Sequence, residues 1–293
     1  MKYKPGEYWE NRLKRELNLG VIGHIKLGLE YNEWLYKARV RALNKLIREQ
    51  GISVNGKTVL DIGVGSGFYI NFWKNKGAIQ ITGIDITETS VSTLSRKYPQ
   101  YKFIKADIGS DLDLDEKFDI ITAFDVLFHI VDENAFEKAI ANIRMLCHDK
   151  SYILISDGFL SGMKKLSFHE NYRTLSQYAD ILAKNNLKIL AIYPIFYFMS
   201  SPIDSEAIRN RIFKILISDL WRINYKILSF GNKSPFEKLI GNVLGSMLYV
   251  CDGFILYFIH PKASPCMKLL LARPASATEK SNHGDRSLEN HSF

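Results

Sequence analysis

An α/β fold, with a mostly parallel sheet covered by helices on both faces, is what this sequence predicts. Three observations carry that expectation. Between residues 58 and 157, short β-branched runs alternate with helical segments. The runs at 58, 81, 118 and 151 are almost continuously apolar, as strands buried on both faces are. A glycine-rich turn, "GVGSG" at 63–67, follows the first run at the place where a strand would hand over to a helix.

The first 50 residues read as helical. From Tyr31, apolar residues recur at Trp34, Leu35, Ala38, Ala42 and Leu46, a helical stripe, while Lys37, Arg41, Lys45 and Arg48 fall on the wet side. "GISVNGK" then turns the chain. The expected strands are "TVLDIG" (58–63), "ITGIDI" (81–86), "YKFIKADI" (101–108), "FDIITAFD" (118–125) and "SYILISD" (151–157). "GFYINFWKNKGA", "TSVSTLSRKYP" and "ENAFEKAIANIRMLCH" supply the helices between them. Right-handed crossovers place the C-terminal ends of such strands on one edge, and ligands bind where the strand order reverses. Beyond Asp157 we expect a helix over 171–185, a strand over 187–195, a long apolar region over 196–266 and a last short strand over 268–274. The division is therefore 1–50, a core over 51–195, an insertion over 196–266, the strand at 267–274 and a polar, unpatterned, disordered tail over 275–293.

The 293 residues are 46% hydrophobic and 24% charged, enough apolar material for one large domain with insertions. Cys147, Cys251 and Cys266 lack the paired spacing of a disulfide framework or zinc site, and the charged start lacks an apolar signal region. Both point to the cytoplasm. The net charge of +8 comes without any block of like charges, so it reads as a solvated surface rather than as the mark of a nucleic-acid or acidic-membrane partner. "LIGNVLGSMLYVCDGFILYFI" (239–259) is long enough to cross a bilayer, but Asn242, Ser246 and Asp252 interrupt it. A buried helix followed by a short strand or second helix is the favoured reading, with membrane contact the lesser one.

The glycine turn is spaced G-x-G-x-G at Gly63, Gly65 and Gly67. That departs from the G-x-G-x-x-G of dinucleotide folds and lacks the G-K-[ST] ending of a triphosphate loop. Asp61 precedes it and can meet an ammonium group. Asp85 ends the second strand and can accept from two ribose hydroxyls. Asp107 ends the third, placed for an adenine amino group beside the backbone of Ile108.

Taken together, "VLDIGVGSGFYI", "ITGIDI", "KADI" and "FDIITAFDVLFHIVD" resemble the successive motifs of the class I S-adenosylmethionine-dependent methyltransferases, in their small-molecule form. The resemblance implies a Rossmann-like seven-stranded sheet whose last strand is antiparallel and slots between its two predecessors. It implies a helical N-terminal lid and a substrate cap at 196–266. It also implies S-adenosylmethionine as cofactor, with Asp61 and the glycines Gly63, Gly65 and Gly67 at the methionine part, Asp85 with Ile86 at the ribose, Asp107 with Ile108 at the adenine, and Phe124 lining the methionine end. Tyr8, Trp9 and Tyr31 are lid or core residues with equal weight.

The acceptor expected from this reading is a small molecule, amphipathic given the apolar insertion, and methylated on a hydroxyl. His129, in "DVLFHI", is the candidate base, against a packing role. His169, Tyr172 or Arg173 could reach the acceptor, or simply open a surface helix. Asp125 and Asp157 could hold magnesium, but Gly158 follows where metal-dependent relatives place an Asn, so no metal is expected. "AFDV" lacks the proline pair of enzymes that methylate exocyclic amines, which speaks against nucleic acid. The alternatives are an NAD-dependent oxidoreductase and a non-catalytic, membrane-peripheral protein on the same fold.

Overall fold

The computed structural model describes residues 3–163, 165–231 and 234–275, and of Lys165 the backbone only. The tail expected to be disordered therefore lies, from Ser276, outside the described residues.

Three helices come first: α1 (Pro5–Leu13), α2 (Leu19–Ile22) and the long α3 (Leu29–Glu49). Strand and helix then alternate as β1 (Thr58–Ile62), α4 (Phe68–Asn75), β2 (Gln80–Asp85), α5 (Glu88–Lys97), β3 (Lys102–Lys105), β4 (Phe118–Phe124), α6 (Glu133–Met145) and β5 (Cys147–Asp157). A two-residue hairpin follows, β6 (Lys165–Leu166) and β7 (Asn171–Tyr172), then α7 (Leu175–Lys184) and β8 (Leu187–Pro194). The helices α8 (Arg211–Gly231) and α9 (Glu237–Phe258) precede the last strand, β9 (Lys268–Pro274).

The main sheet has seven strands in the order β3-β2-β1-β4-β5-β9-β8. The five strands from β3 to β5 are parallel, and β9 runs antiparallel between β5 and β8. This is the topology the sequence resemblance implies. Its order reverses between β1 and β4, which places the ligand edge there. Side-chain alternation splits the core into two layers. Val59, Ile81, Ile120, Leu154 and Leu271 face α3, α4 and α5, and Leu60, Ile84, Ile121, Ile153 and Leu270 face α6 and α7.

Two expected elements differ. The helix expected over 171–185 begins only at Leu175, where Thr174 and Gln177 form a capping box. Asn171 and Tyr172 instead pair with the preceding strand. The segment 239–258 lies in one continuous helix, not a helix plus a second element, and only Gly241, Gly245, Leu248 and Asp252 of it are buried. Asp252, which interrupts its apolar run, turns inward and accepts the N–H groups of Tyr197 (2.8 Å) and Phe198 (2.7 Å).

The start of β9 is pinned by a buried ion pair. Lys268 Nζ stands 3.1 Å from Asp204 Oδ2 and also donates to the Gly158 carbonyl at 3.0 Å. Asp204 accepts in addition from the backbone N–H and hydroxyl of Ser161. Removing one partner leaves the other charge buried and uncompensated. Asp204→Ala is expected to lower stability by about 3–5 kcal/mol, read as a shifted midpoint in urea denaturation at unchanged slope.

Candidate functional site

A cavity of about 540 Å³ opens at the edge where β1, β2, β3 and β4 end. Asp61, Gly63, Gly65, Asp85, Ile86, Asp107, Ile108, Phe124 and His129 all line it. Of the cofactor residues expected from sequence, Gly67 is the exception. It caps α4 in the left-handed region (φ 74°), and a Cβ there would meet Leu94 at 2.6 Å, so its job is close packing of the helix against α5.

The glycine turn is built by the acid of the next strand. Gly63 and Val64 donate to the Ile84 carbonyl, and Gly65 N–H donates to Asp85 Oδ2 at 2.9 Å. Asp85 Oδ1 accepts from both the N–H (2.9 Å) and hydroxyl (2.7 Å) of Thr87. Three of the roughly four acceptor positions of this carboxylate are thus taken by its own loop, and the remaining one is on Oδ2. The two free positions expected from sequence reduce to one, because the carboxylate also has to shape the turn.

Burial raises the carboxyl of Asp61 to about 7, helped by the charge of Asp85, although the Thr122 hydroxyl donates to Asp61 at 2.7 Å. Burial raises Asp85 as well. Two acids held against ionisation at one cavity make a site that gains from a cationic ligand group. Asp107 Oδ1 accepts the Gly109 N–H at 2.8 Å.

His129 sits after β4 with its Nδ1 2.9 Å from the carbonyl of His169. A carbonyl only accepts, so Nδ1 carries the proton and Nε2 keeps its lone pair. Burial pushes this imidazole down to about 4, so it is neutral at physiological pH. The Trp9 ring packs edge-on against it at 4.9 Å.

The lid comes from the N-terminus. Tyr3, Pro5, Trp9, Leu13, Ile22 and Tyr36 line the cavity opposite the sheet edge. Glu10 docks α1 by accepting from Glu88 N–H (2.8 Å) and the Thr89 hydroxyl (2.7 Å) at the start of α5. Of the three candidate lid aromatics, Trp9 lines the cavity, Tyr8 packs on Trp9 and His169, and Tyr31 is core, its hydroxyl donating to the Met199 carbonyl. No described residue of 196–266, the segment expected as a substrate cap, lines the cavity. α9 lies along α3 instead.

The remaining candidates are held by neighbouring side chains. Arg173 is buried, paired to Glu133 at 2.9 Å and donating to the Ile130 carbonyl. Tyr172 stacks on Phe128. Asp157 accepts from Tyr178 and does not face the cavity. Asp125 lines the cavity in the left-handed region (φ 59°) and is held by Arg39, at 2.7 Å from Nε and 2.6 Å from Nη2. Sequence reading passed over Arg39, and Tyr36 and Ile22 with it. Their only signal was a place on or beside α3, which does not say what they face.

Residues 59–150 match the model of a methyltransferase domain. The chain is similar to the ubiquinone biosynthesis O-methyltransferase of Stutzerimonas stutzeri, 32% identical over 101 residues, covering 32% of this chain and 43% of that protein. It is 28% identical over 97 residues to the protein of the same name from Neisseria meningitidis, covering 31% and 40%. The chain thus spans about two fifths of the curated relatives it matches. Among solved structures, it is similar to the 1,6-didemethyltoxoflavin-N1-methyltransferase of Burkholderia thailandensis (TM-score 0.45, 21% identity, 54% of this chain and 71% of that one). It is also similar to the [4+2]-cyclase SpnF (TM-score 0.49, 17% identity, 80% of each chain).

Gly63 tests the turn directly. At φ 69° an added Cβ would meet Val126 Cγ2 at 2.3 Å. Gly63→Ala is expected to cost about 1–3 kcal/mol through backbone strain and overpacking, measured by thermal unfolding.

Proposed function

We propose that this chain, which belongs through its core at 59–150 to the class I S-adenosylmethionine-dependent methyltransferases, transfers a methyl group to a hydroxyl of a small, amphipathic acceptor. The observation that carries this reading is the convergence of three strand-end acids, Asp61, Asp85 and Asp107, and the Gly63–Gly65 turn on one cavity at the reversal of strand order. The residues fit the cofactor by the chemistry of their donor set. Buried acids with raised pKa match a ligand that is cationic at its amino-acid end, and the glycines leave room for close approach.

In this reading Asp61 receives the ammonium group. Asp85 uses its remaining position on Oδ2 for a ribose hydroxyl. Asp107 and the backbone at Ile108 take the adenine, with Ile86 and Phe124 as walls. When bound, S-adenosylmethionine supplies an electrophilic methyl group for in-line displacement. The chain's part is orientation, exclusion of water by the aromatic lid, and acceptance of a proton. His129 Nε2 is the acceptor for the hydroxyl proton, since its lone pair is free and the ring is neutral. The apolar wall of Trp9, Leu13, Ile22 and Tyr36 suits an acceptor with an apolar body. The similarity to proteins named O-methyltransferases supports oxygen as the accepting atom.

Two measurements test the reading. Asp61 must be ionised to hold an ammonium group, so cofactor binding releases a proton and weakens as pH falls through about 7. Calorimetric titration with S-adenosylmethionine is expected to show a Kd about tenfold lower at pH 8 than at pH 6, and Asp61→Asn is expected to abolish that dependence. A folded sample that does not bind would sink the proposal. His129→Ala is expected to lower kcat about a hundredfold with cofactor affinity unchanged, and unchanged turnover would remove the base role.

A further inference from the structure

The α8–α9 pair carries an apolar surface that none of the described residues covers. On α8, Ile212, Leu216, Leu220, Ile223, Ile227 and Phe230 are exposed at steps of three or four, and the span from Ile212 to Phe230 is a whole number of helical turns. On α9, Leu239, Val243, Met247, Val250, Phe254 and Tyr257 form a second stripe in the same way, with Val250 at 69% and Phe254 at 70% exposure. Contiguous apolar surface on this scale marks an interaction site.

The opposite face of α9 is already committed. A Cβ on Gly241 would meet Glu30 at 3.0 Å, one on Gly245 would meet Trp34 at 2.3 Å, and one on Gly253 would meet Arg41 at 2.6 Å, so α9 is pressed along α3. α9 is long and apolar enough to cross a membrane, but a helix locked to a basic partner on one side is built to lie on a surface with its free side down.

Charge selects the occupant. Residues 209–262 hold eight Lys or Arg against three Asp or Glu. Asp252 is buried, and Asp219 is paired with Arg222 at 2.7 Å. A second copy would set this positive surface against itself. Beside α9, the outer edge of α3 adds exposed Lys37 and Arg48 and half-buried Arg41 and Lys45, which line a groove with Tyr249. Arg41 donates to the Tyr249 carbonyl at 2.6 Å, while its Nη2 is buried without a hydrogen-bond partner. Arg48 leans on Glu49 at 3.9 Å, and Lys37 sits 3.8 Å over the Trp34 ring. The groove is thus an anion site bordering an apolar face.

We propose that the α8–α9 face seats this protein on an anionic lipid bilayer, with the two stripes in the acyl boundary and the α3 groove holding lipid phosphates. The groove shares Phe68 with the cavity under the lid, so the bilayer surface and the site adjoin through one side chain. The proposal stands independently of methyl transfer.

Co-sedimentation of the full chain with phosphatidylcholine vesicles, with and without phosphatidylglycerol, tests it. Binding is expected to the anionic vesicles and to weaken with salt. Val243→Glu with Val250→Glu, on the free side of α9, should abolish it. Lys37→Gln with Lys45→Gln should weaken it on the order of thirtyfold, and melting curves report whether each variant folds. Failure of the wild-type protein to bind anionic vesicles at low salt would overturn the proposal. So would folded variants that bind like wild type, or a dimer by analytical ultracentrifugation that the Val243–Val250 double variant breaks while wild type ignores vesicles.

Discussion

Arg39 reaches from the middle of α3 to Asp125 at the end of β4, and much of the molecule depends on that pairing. Its guanidinium lies 4.9 Å from the rings of both Tyr36 and Phe196, which shield it from water, and the Asp125 charge holds it protonated. Ser156 closes the far side by donating to Asp125 Oδ1 at 2.6 Å. The pair fixes α3 against the ligand edge of the sheet. Tyr36 enters the cavity from α3, α2 packs against it, and α9 runs along its outer side, while α1 docks on α5 through Glu10. A part-buried ion pair favours one register for such a joint, because other arrangements separate the two charges.

The cavity is electrostatically unsatisfied by design of its strands. Parallel strands deliver their last residues to one edge, and three of those edge residues are acids. In the low dielectric under the lid, Asp61 and Asp85 resist ionisation, and the charge of Asp85 further disfavours charge on Asp61. A ligand that brings positive charge relieves both. His129 is tuned the other way: burial keeps it neutral, and the His169 carbonyl decides which nitrogen is left bare. The same burial therefore disposes the acids toward a cation and keeps the imidazole unprotonated, with its charged form disfavoured.

The insertion before β9 reaches two environments at once. Its inner faces supply Asp252 to the loop after β8 and small residues to the approach of α3, while its outer faces stay apolar in water. An apolar stripe in sequence is ordinarily read as core. Here both helices carry more apolar arc than the core consumes, and the excess lies outside.

Much of the architecture was legible in the residues themselves. Near-continuous apolar runs separated by helical segments specify buried parallel strands, because only a strand covered on both faces tolerates that pattern. The G-x-G-x-G turn and the acids ending successive runs located the cavity, since parallel topology alone brings strand ends together. What periodicity does not encode is which buried face meets which partner. Gly67, expected among the ligand glycines, packs against Leu94; Arg173, expected either at the acceptor or at the opening of a surface helix, is locked to Glu133; within 196–266, expected as a cap, α9 lies along α3. By itself, the sequence determined the sheet, the cavity and its acids, which follow from local pattern and chain order. Only the tertiary structure decided the lid, the Arg39–Asp125 joint and the exposed face of α8 and α9, because each depends on contacts between residues far apart in the chain, which local pattern does not encode.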